Sequence, residues 1–427
     1  MLDINLIRKN PEIVKRDLEK RGAIEKISLL NEVIELDKEW RNILKQLNAL
    51  REERNRITTE IARMKKEGKE VGELMEIAKE LPKKIESLEK IEEEKRNRIK
   101  EILMSLPNIL HESVPVGRDE KDNVTVKTWG RIKEFKFQPK DHQDLALPLD
   151  LIDIERAAKV AGARFYYLKN GLVELNLALI KYGLDFLKNR GFRIFQPPYM
   201  LRKEALQGAI SFSDFEDMIY KIEGEDLYLI GTAEHPLLAY HMNEILDSKD
   251  LPLAYAGISP CFRKEAGTHG KDTKGIFRVH QFEKVEQFVF CKPEESWEWH
   301  EKLLKNAEEF FQSLEIPYRV VNICSGDIGS IAAKKYDIEA WLPGQGKYRE
   351  VVSCSNCTDY QARRLNIRFR EGNETKFVHT LNSTLVATER TMIAIMENYQ
   401  QEDGSILIPK VLQRYLNAEK ITKDGLK

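Results

Sequence analysis

From residue 36 to residue 64 the apolar positions recur in alternating steps of four and three: Leu36, Trp40, Ile43, Leu47, Leu50, Ile57, Ile61 and Met64, with only Arg54 breaking the series. Such a heptad seam predicts a long helix with one buried face. A second seam runs through Leu74, Ala78, Leu81, Ile85 and Leu88 and resumes at Ile99 and Ile102, and Gly68 and Gly72 bracket a turn between the two. Two seams joined by a glycine-bearing turn predict an antiparallel helical hairpin, an arm about 50 Å long at about 1.5 Å per residue. Pro82 falls within the second seam and either opens its long part or kinks it. Upstream, MLDINLIRKNPEIVKRDLEKRG reads as an amphipathic helix that stops near Gly22.

The pattern changes after LPNILHESVPVGRDEKDN (106–123), a linker by its Pro, Gly, Asp and Asn content. Short β-branched and aromatic runs follow at 227–231, 252–259, 276–282, 287–291 and 318–323, alternating with helical segments at 172–190 and 297–313. Closely spaced strands with turn signals favour an α+β fold with an antiparallel sheet flanked by helices. The division is a helical domain over 1–106 and a sheet-containing domain over 107–427. Neither a Gly-x-Gly-x-x-Gly nor a Gly-x-x-x-x-Gly-Lys-Ser/Thr run occurs, which argues against a Rossmann or P-loop nucleotide site.

Composition narrows this reading in two ways. Charged residues make up 33% of the chain and concentrate before residue 105, so the arm is a solvated module, and the net charge of −1 excludes no class of partner. The five cysteines (Cys261, Cys291, Cys324, Cys354, Cys357) form an odd set without scaffold spacing, which fits a reducing cytosol. No stretch approaches the ~20 apolar residues of a membrane span, and the expected location is cytoplasmic. Cys354-x-x-Cys357 has no second CxxC or close histidine pair to complete a zinc site, so no zinc is expected.

The chemistry concentrates in CFRKEAGTHGKDTKGIFRVHQFEKVEQF (261–288). If the runs flanking its polar middle pair as antiparallel strands, Arg263 and Glu265 share one face, and His280, Phe282, Lys284 and Glu286 align on the returning strand. A guanidinium fork suits a phosphate, a phenyl face can stack on a purine, and carboxylates can accept from an amine or bind Mg²⁺. A cross-strand ion-pair ladder on a solvated face uses the same residue types. Two further segments offer similar groups: RE at 349–350 leading into VVSCSNCTDYQARR, and HTLNSTLVATER leading into a helix that carries Arg390.

These segments resemble the three motifs of class II aminoacyl-tRNA synthetases: GFRIFQPPYM (191–200), with Pro198, is similar to motif 1, FRKE with RVHQFEKVEQF to motif 2, and LNSTLVATER to motif 3. GTAEHPLL, FRKEAGTHGKDTKG and VVSCSNCTDYQARR, together with the helical arm, resemble the seryl-tRNA synthetases specifically. The resemblance covers essentially the whole chain. It implies a class II catalytic domain with a coiled-coil arm, activation of L-serine by ATP to seryl-adenylate and pyrophosphate, and transfer of serine to the 3′ end of tRNA(Ser). It leaves open tRNA(Sec) as a second acceptor. It also implies a homodimer through motif 1 and Mg²⁺ accompanying ATP. A paralogue that charges a non-tRNA acceptor is the alternative, and its mark is loss of the arm, which is present here.

Carried over residue by residue, the resemblance makes Arg263, Glu265 and Arg390 catalytic. ATP falls to Arg263, Lys264, Glu265, Val279, Phe282, Glu350, Val351, Val352, Ser353 and Arg390, with Glu350 and Ser353 as Mg²⁺ ligands. Serine falls to Thr232, Ala233, Glu234, Arg263, Glu286 and Thr384. A site with a buried acceptor for the hydroxyl rejects alanine far better than an apolar pocket could, and Glu286 is the expected acceptor. Many family members carry serine where Thr384 stands, so an added methyl narrows this pocket. Thr232 and Glu234 would equally serve as a helix N-cap. In the motif 2 loop, Thr268, His269 and Lys271 are expected to meet the tRNA acceptor end. On the arm, Arg41, Lys45, Arg51, Arg54 and Arg56 belong to a stretch, 41–66, with eight basic and three acidic residues. That stripe suits RNA phosphates, although a solvated coiled coil carries charge on its outer face as well.

Overall fold

The computed structural model describes residues 1–211, 216–265 and 274–427 and divides into two compact units, Met1–Pro107 and Asn108–Lys427. In the first unit the predicted single N-terminal helix is two: α1 (Ile4–Lys9) and α2 (Pro11–Lys20). Asn10 closes one and precedes the other, because Pro11 has no N–H to continue α1 but fits the first position of a new helix. Helices α3 (Ile27–Lys66) and α4 (Gly72–Ser105) form the hairpin. Ile43, Leu47 and Ile85 pack as its seam, flanked by Leu50 and Leu88, while Ile57 and Leu81 are buried further along. Helix α4 runs on through Pro82, whose side is exposed. The seam also holds a buried carboxylate: Asp37, 3% exposed, accepts from Arg8 Nε and Nη2 at 2.9 and 2.6 Å and from Arg41 Nε at 2.9 Å. Two guanidinium groups compensate for the lost hydration and tie α1 to α3.

The second unit is built on an eight-stranded sheet of β1 (Val124–Trp129), β2 (Arg193–Phe195), β3 (Leu253–Phe262), β4 (Gln281–Cys291), β5 (Tyr318–Asn322), β6 (Lys334–Leu342), β7 (Lys347–Asn356) and β8 (His379–Ala387). Its order is β1-β5-β6-β7-β8-β4-β3-β2. All pairs are antiparallel as expected except β2 with β3, which is parallel. The helices that concern the site are α5 (His142–Ala146), α6 (Gly171–Lys188), α7 (Glu234–Ala239), α8 (Ser296–Ser313) and α9 (Thr388–Tyr399). Leu175 and Leu179 of α6, Phe310 and Phe311 of α8, and Met392 and Ile393 of α9 form one core with Val285, Val289 and Leu381 of the sheet.

Three local expectations change. The strand expected over 276–282 starts only at Gln281, and that expected over 227–231 is confined to Tyr228–Leu229. Strand β3 ends at Phe262, so Arg263 and Glu265 lie beyond it rather than on its face, and Glu265 takes φ +51°. Phe282, Lys284 and Glu286 do occupy alternate positions of β4. Among the described residues no helix is long and apolar enough to cross a membrane.

Candidate functional site

Two hollows meet at Arg263. The larger, about 260 Å³, is lined by Thr232, Glu234, His235, Arg263, Ser353 and Asn382, with apolar walls from Ile210, Met218 and Ile331. The smaller is lined by Arg263, Glu265, Phe277, Val279, Phe282 and Arg390. Arg263 is held between them: its Nε donates to the Gly231 carbonyl at 3.3 Å, and its guanidinium carbon lies 5.1 Å from the centre of the Phe282 ring.

Helix α7 brings Glu234 to the larger hollow because strand β3 has glycine where α7 crosses it. A Cβ on Gly257 would stand 2.8 Å from Ala233 Cβ and Leu237 Cδ1. Thr232 Oγ1 accepts from the Glu234 N–H at 3.2 Å, so it supports the start of α7 while lining the hollow. Ala233 is fully buried beneath it. Glu234 accepts from Gln361 Nε2 at 2.8 Å; burial, and next the charge of Glu286, push its carboxyl up to about 7. His235 accepts from the Gly231 N–H at 3.3 Å, and burial followed by the positive Arg263 and Lys284 pushes it down to about 3. It is therefore neutral, and the cation facing the hollow is Arg263.

Glu286 sits behind this wall, 1% exposed, with Lys284 Nζ at 2.5 Å and Thr384 Oγ1 at 3.5 Å. Burial raises its carboxyl although Lys284 pulls the other way. Thr384 faces Glu286 directly across β8 and β4.

Glu350 and Ser353 are three apart, a spacing that puts side chains on opposite faces of a regular strand. The register of β6 against β7 pairs Ser353 with Asp337 and Glu350 with Glu339, leaving one extra residue in β7. This β-bulge returns Glu350 and Ser353 to one face. Val351 and Val352 turn into the core at 2% and 1% exposure, so their side chains cannot reach a nucleotide and any contact must be made by backbone. Glu350 Oε2 lies 3.2 Å from Arg390 Nη1, which also donates to the Glu350 carbonyl at 3.0 Å. Burial opposes ionisation of Glu350, but Arg390, Lys335 and Arg263 outweigh it and lower the carboxyl well below the usual range. Its side chain is 45% exposed, and solvent screens part of that pull. Asp337 forms a hydrogen bond with Ser353, and its Oδ1 is buried with no partner.

Glu265 pairs with Arg278 Nη1 at 3.0 Å, and Val279 and Phe282 line the smaller hollow. Lys264 departs from expectation: it is exposed, with Nζ 5.8 Å from the Tyr220 ring centre, and is not among the lining residues of either hollow. Thr268, His269 and Lys271 lie outside the described residues. On the arm, Arg41 is committed to Asp37 and Arg51 to Glu89 Oε1 at 2.6 Å. Lys45, Arg54 and Arg56 are exposed and have no salt bridge among the described residues.

Several residues were missed from the sequence. Asn382 stands in the quoted LNST, but a strand asparagine gives no sign of facing a cavity. Phe277 was read as strand; its ring is 3.8 Å from the guanidinium carbon of Arg349 and 4.7 Å from that of Arg390. Lys284 and His235 are buried polar groups whose partners, Glu286 and the Gly231 N–H, lie only two and four residues away, but nothing in the local sequence marks either side chain as buried. Cys354 and Cys357 are buried, and among the described residues no three His, Cys, Asp or Glu side chains converge as metal ligands.

Residues 217–399 match the model of the tRNA synthetase class II core domain (G, H, P, S and T), and residues 1–110 match that of the seryl-tRNA synthetase N-terminal domain. The serine–tRNA ligase of Pyrococcus horikoshii is 58% identical over 99% of this chain and 97% of its own length. That of Nitrosopumilus maritimus is 51% identical over 98% of this chain and 100% of its own. The crystal structure of seryl-tRNA synthetase from P. horikoshii complexed with ATP superposes with a TM-score of 0.94, covering 99% of both chains at 58% identity. The cytoplasmic serine–tRNA ligase from Naegleria fowleri in complex with AMP gives 0.88 at 41% identity and the same coverage.

Proposed function

The chain belongs to the seryl-tRNA synthetases of class II, and from that premise we propose how its own residues divide the work of a serine–tRNA ligase. It is an ATP-using aminoacyl-tRNA synthetase; the full-length similarity, arm included, does not favour a paralogue with another acceptor. The observation that carries the residue assignment is that, among the described residues, Arg263 alone lines both hollows. A cation there can hold the serine carboxylate and the α-phosphate together, and stabilise the charge that develops as the carboxylate attacks phosphorus.

The larger hollow takes serine. Glu234 faces the ammonium group, Asn382 adds an amide to the wall, and Glu286 with Thr384, which stand behind that wall and not on it, are assigned to the hydroxyl. The smaller hollow takes adenine against Phe282 and Val279, with Glu265 at its exocyclic amine, and Arg390 approaches the phosphates. Lys264, whose side chain is on neither wall, would meet ATP through its backbone, as Val351 and Val352 would. The β-bulge, the unpartnered Asp337 oxygen and the shared face of Glu350 and Ser353 form an oxygen-donor set that would suit Mg²⁺ accompanying ATP. Held by Glu350 and Ser353, the ion would neutralise phosphate charge.

The arm is assigned to tRNA(Ser), with Lys45, Arg54 and Arg56 as its available cations. Shape carries the specificity, because side chains cannot read the deep groove of A-form RNA. Motif 1 forms β2 at the sheet's edge, with Ile194 40% exposed, which supports its assignment to a homodimer interface. Serine-dependent ATP–pyrophosphate exchange, run beside alanine, threonine and glycine, tests the amino-acid site, with stimulation expected from serine alone. Charging of tRNA(Ser) with and without its variable arm tests the partner, and equal charging of both would refute the assignment of the arm.

A further inference from the structure

The Phe277 ring contacts the guanidinium groups of both Arg349 and Arg390, and the backbone leading into it is held by a buried cluster outside both hollows. His142, the first residue of α5, is 3% exposed, and its Nε2 accepts from the Ile276 N–H at 3.2 Å. The ring reaches that close because residue 275 is glycine: φ is +67°, and a Cβ there would stand 1.8 Å from Nε2. Since Nε2 receives a hydrogen bond, the ring proton resides on Nδ1, which faces Glu397 Oε1 at 3.4 Å. Glu397 has no exposed surface. Its Oε1 also accepts from the His142 N–H at 3.2 Å and from Gln345 Nε2 at 3.2 Å, and its Oε2 from the Gly344 N–H at 2.9 Å. Four donors offset the hydration lost by a buried carboxylate. Gln345 then extends the chain, its Oε1 accepting from Arg349 Nη1 at 3.1 Å.

Glu397 thereby joins three segments: the backbone entering Phe277 and α9 with Arg390, both of which line the smaller hollow, and the β6–β7 turn, whose Arg349 and Glu350 line a neighbouring hollow that shares Phe277. We propose that Glu397 and His142, acting through Gln345 and Phe277, are positioning residues that hold Arg349 and Arg390 in place for the phosphates of ATP. The proposal rests on the assignment of the smaller hollow to ATP.

The test is serine-dependent pyrophosphate exchange with KM for ATP and for serine measured separately. Gln345→Leu cuts the link to Arg349 at a partly exposed turn and leaves Glu397 its other donors; His142→Ala cuts the link to Ile276. Each should raise the KM for ATP about tenfold, a displaced guanidinium losing part of its alignment, with the KM for serine within about twofold. His142→Gln, which returns an acceptor near the Nε2 position, should restore most of the loss. An unchanged KM for ATP in Gln345→Leu, an equal rise in the KM for serine, or a loss in kcat alone overturns the proposal. If His142→Ala does not fold, Gln345→Leu decides. Arg390→Ala is the control: a raised KM for ATP there beside an unaffected Gln345→Leu refutes the positioning role only, whereas an unaffected Arg390→Ala removes the ATP assignment beneath it.

Discussion

With Glu234 at the ammonium group of serine, as proposed, one ionisation should govern both the stability of this protein and its affinity for serine. Its carboxyl is pushed up to about 7, by burial first and then by Glu286, against the pull of Gln361, Lys284 and Arg263. A carboxyl whose folded pKa lies above its unfolded value takes up a proton on folding between the two. Its stabilising contribution is therefore complete below the ordinary carboxylate range and is lost as pH rises to about 7. At about 1.4 kcal/mol per pH unit the ceiling on that loss is about 3 kcal/mol, and water reaching the cavity wall lowers it. Glu234→Gln keeps an acceptor for Gln361 and removes the charge. Without serine, the unfolding free energy of Glu234→Gln relative to wild type should thus improve between pH 5 and 7.5, by an amount below that ceiling. Glu389, whose buried carboxyl is also pushed up to about 7, contributes equally to both proteins and cancels. Serine needs the ionised form, so kcat/KM for serine in wild-type exchange should rise about tenfold per pH unit below 7 and level above it. Urea unfolding at several pH values and exchange kinetics read the two effects. A stability gap constant with pH, or a flat kcat/KM from pH 5.5 to 7, would refute the coupling.

Thr384→Val removes a hydroxyl that meets Glu286 at 3.5 Å, a long bond that places the loss at the low end for a charged acceptor, about tenfold in kcat/KM for serine. Thr384→Ser keeps the hydroxyl and should stay within about threefold, and equal activity in exchange for both variants would remove Thr384 from the serine site. On the arm, replacing Lys45, Arg54 and Arg56 by Glu should leave exchange within about twofold, weaken tRNA(Ser) binding, and flatten its dependence on salt concentration. An unchanged salt slope would show that these three side chains do not touch phosphate.

The helical arm was legible because a heptad seam is a local property: Ile43, Leu47 and Ile85 are buried where their spacing puts them. So was the alternation of Phe282, Lys284 and Glu286, which needs only an extended backbone. The chain departs from these simple readings where one residue changes the period. Pro11 divides the first helix, the extra residue in β7 reverses the face of Glu350 relative to Ser353, and the positive φ of Glu265 takes it off the strand. A bulge is set by the register against β6, and residue types within β7 do not record it. Arg51 looks like a free cation in the sequence because its acidic partner, Glu89, comes from the other helix, whereas Asp37 stands one turn before Arg41 on the same helix and was open to an i,i+4 reading.

The sequence by itself determined the two-part organisation, the strands and helices with strong period, and a set of charged and hydroxyl residues whose order resembles one enzyme family. Tertiary structure decided which of those residues share a cavity. It placed Arg263 on the wall common to two hollows, left the Lys264 side chain off both walls, turned Val351 and Val352 inward, and gathered His142, Gln345 and Glu397 from three segments. Periodicity records how a residue meets its own element, whereas a site is defined by contacts between residues far apart in the chain, and those exist only once the sheet has fixed its register.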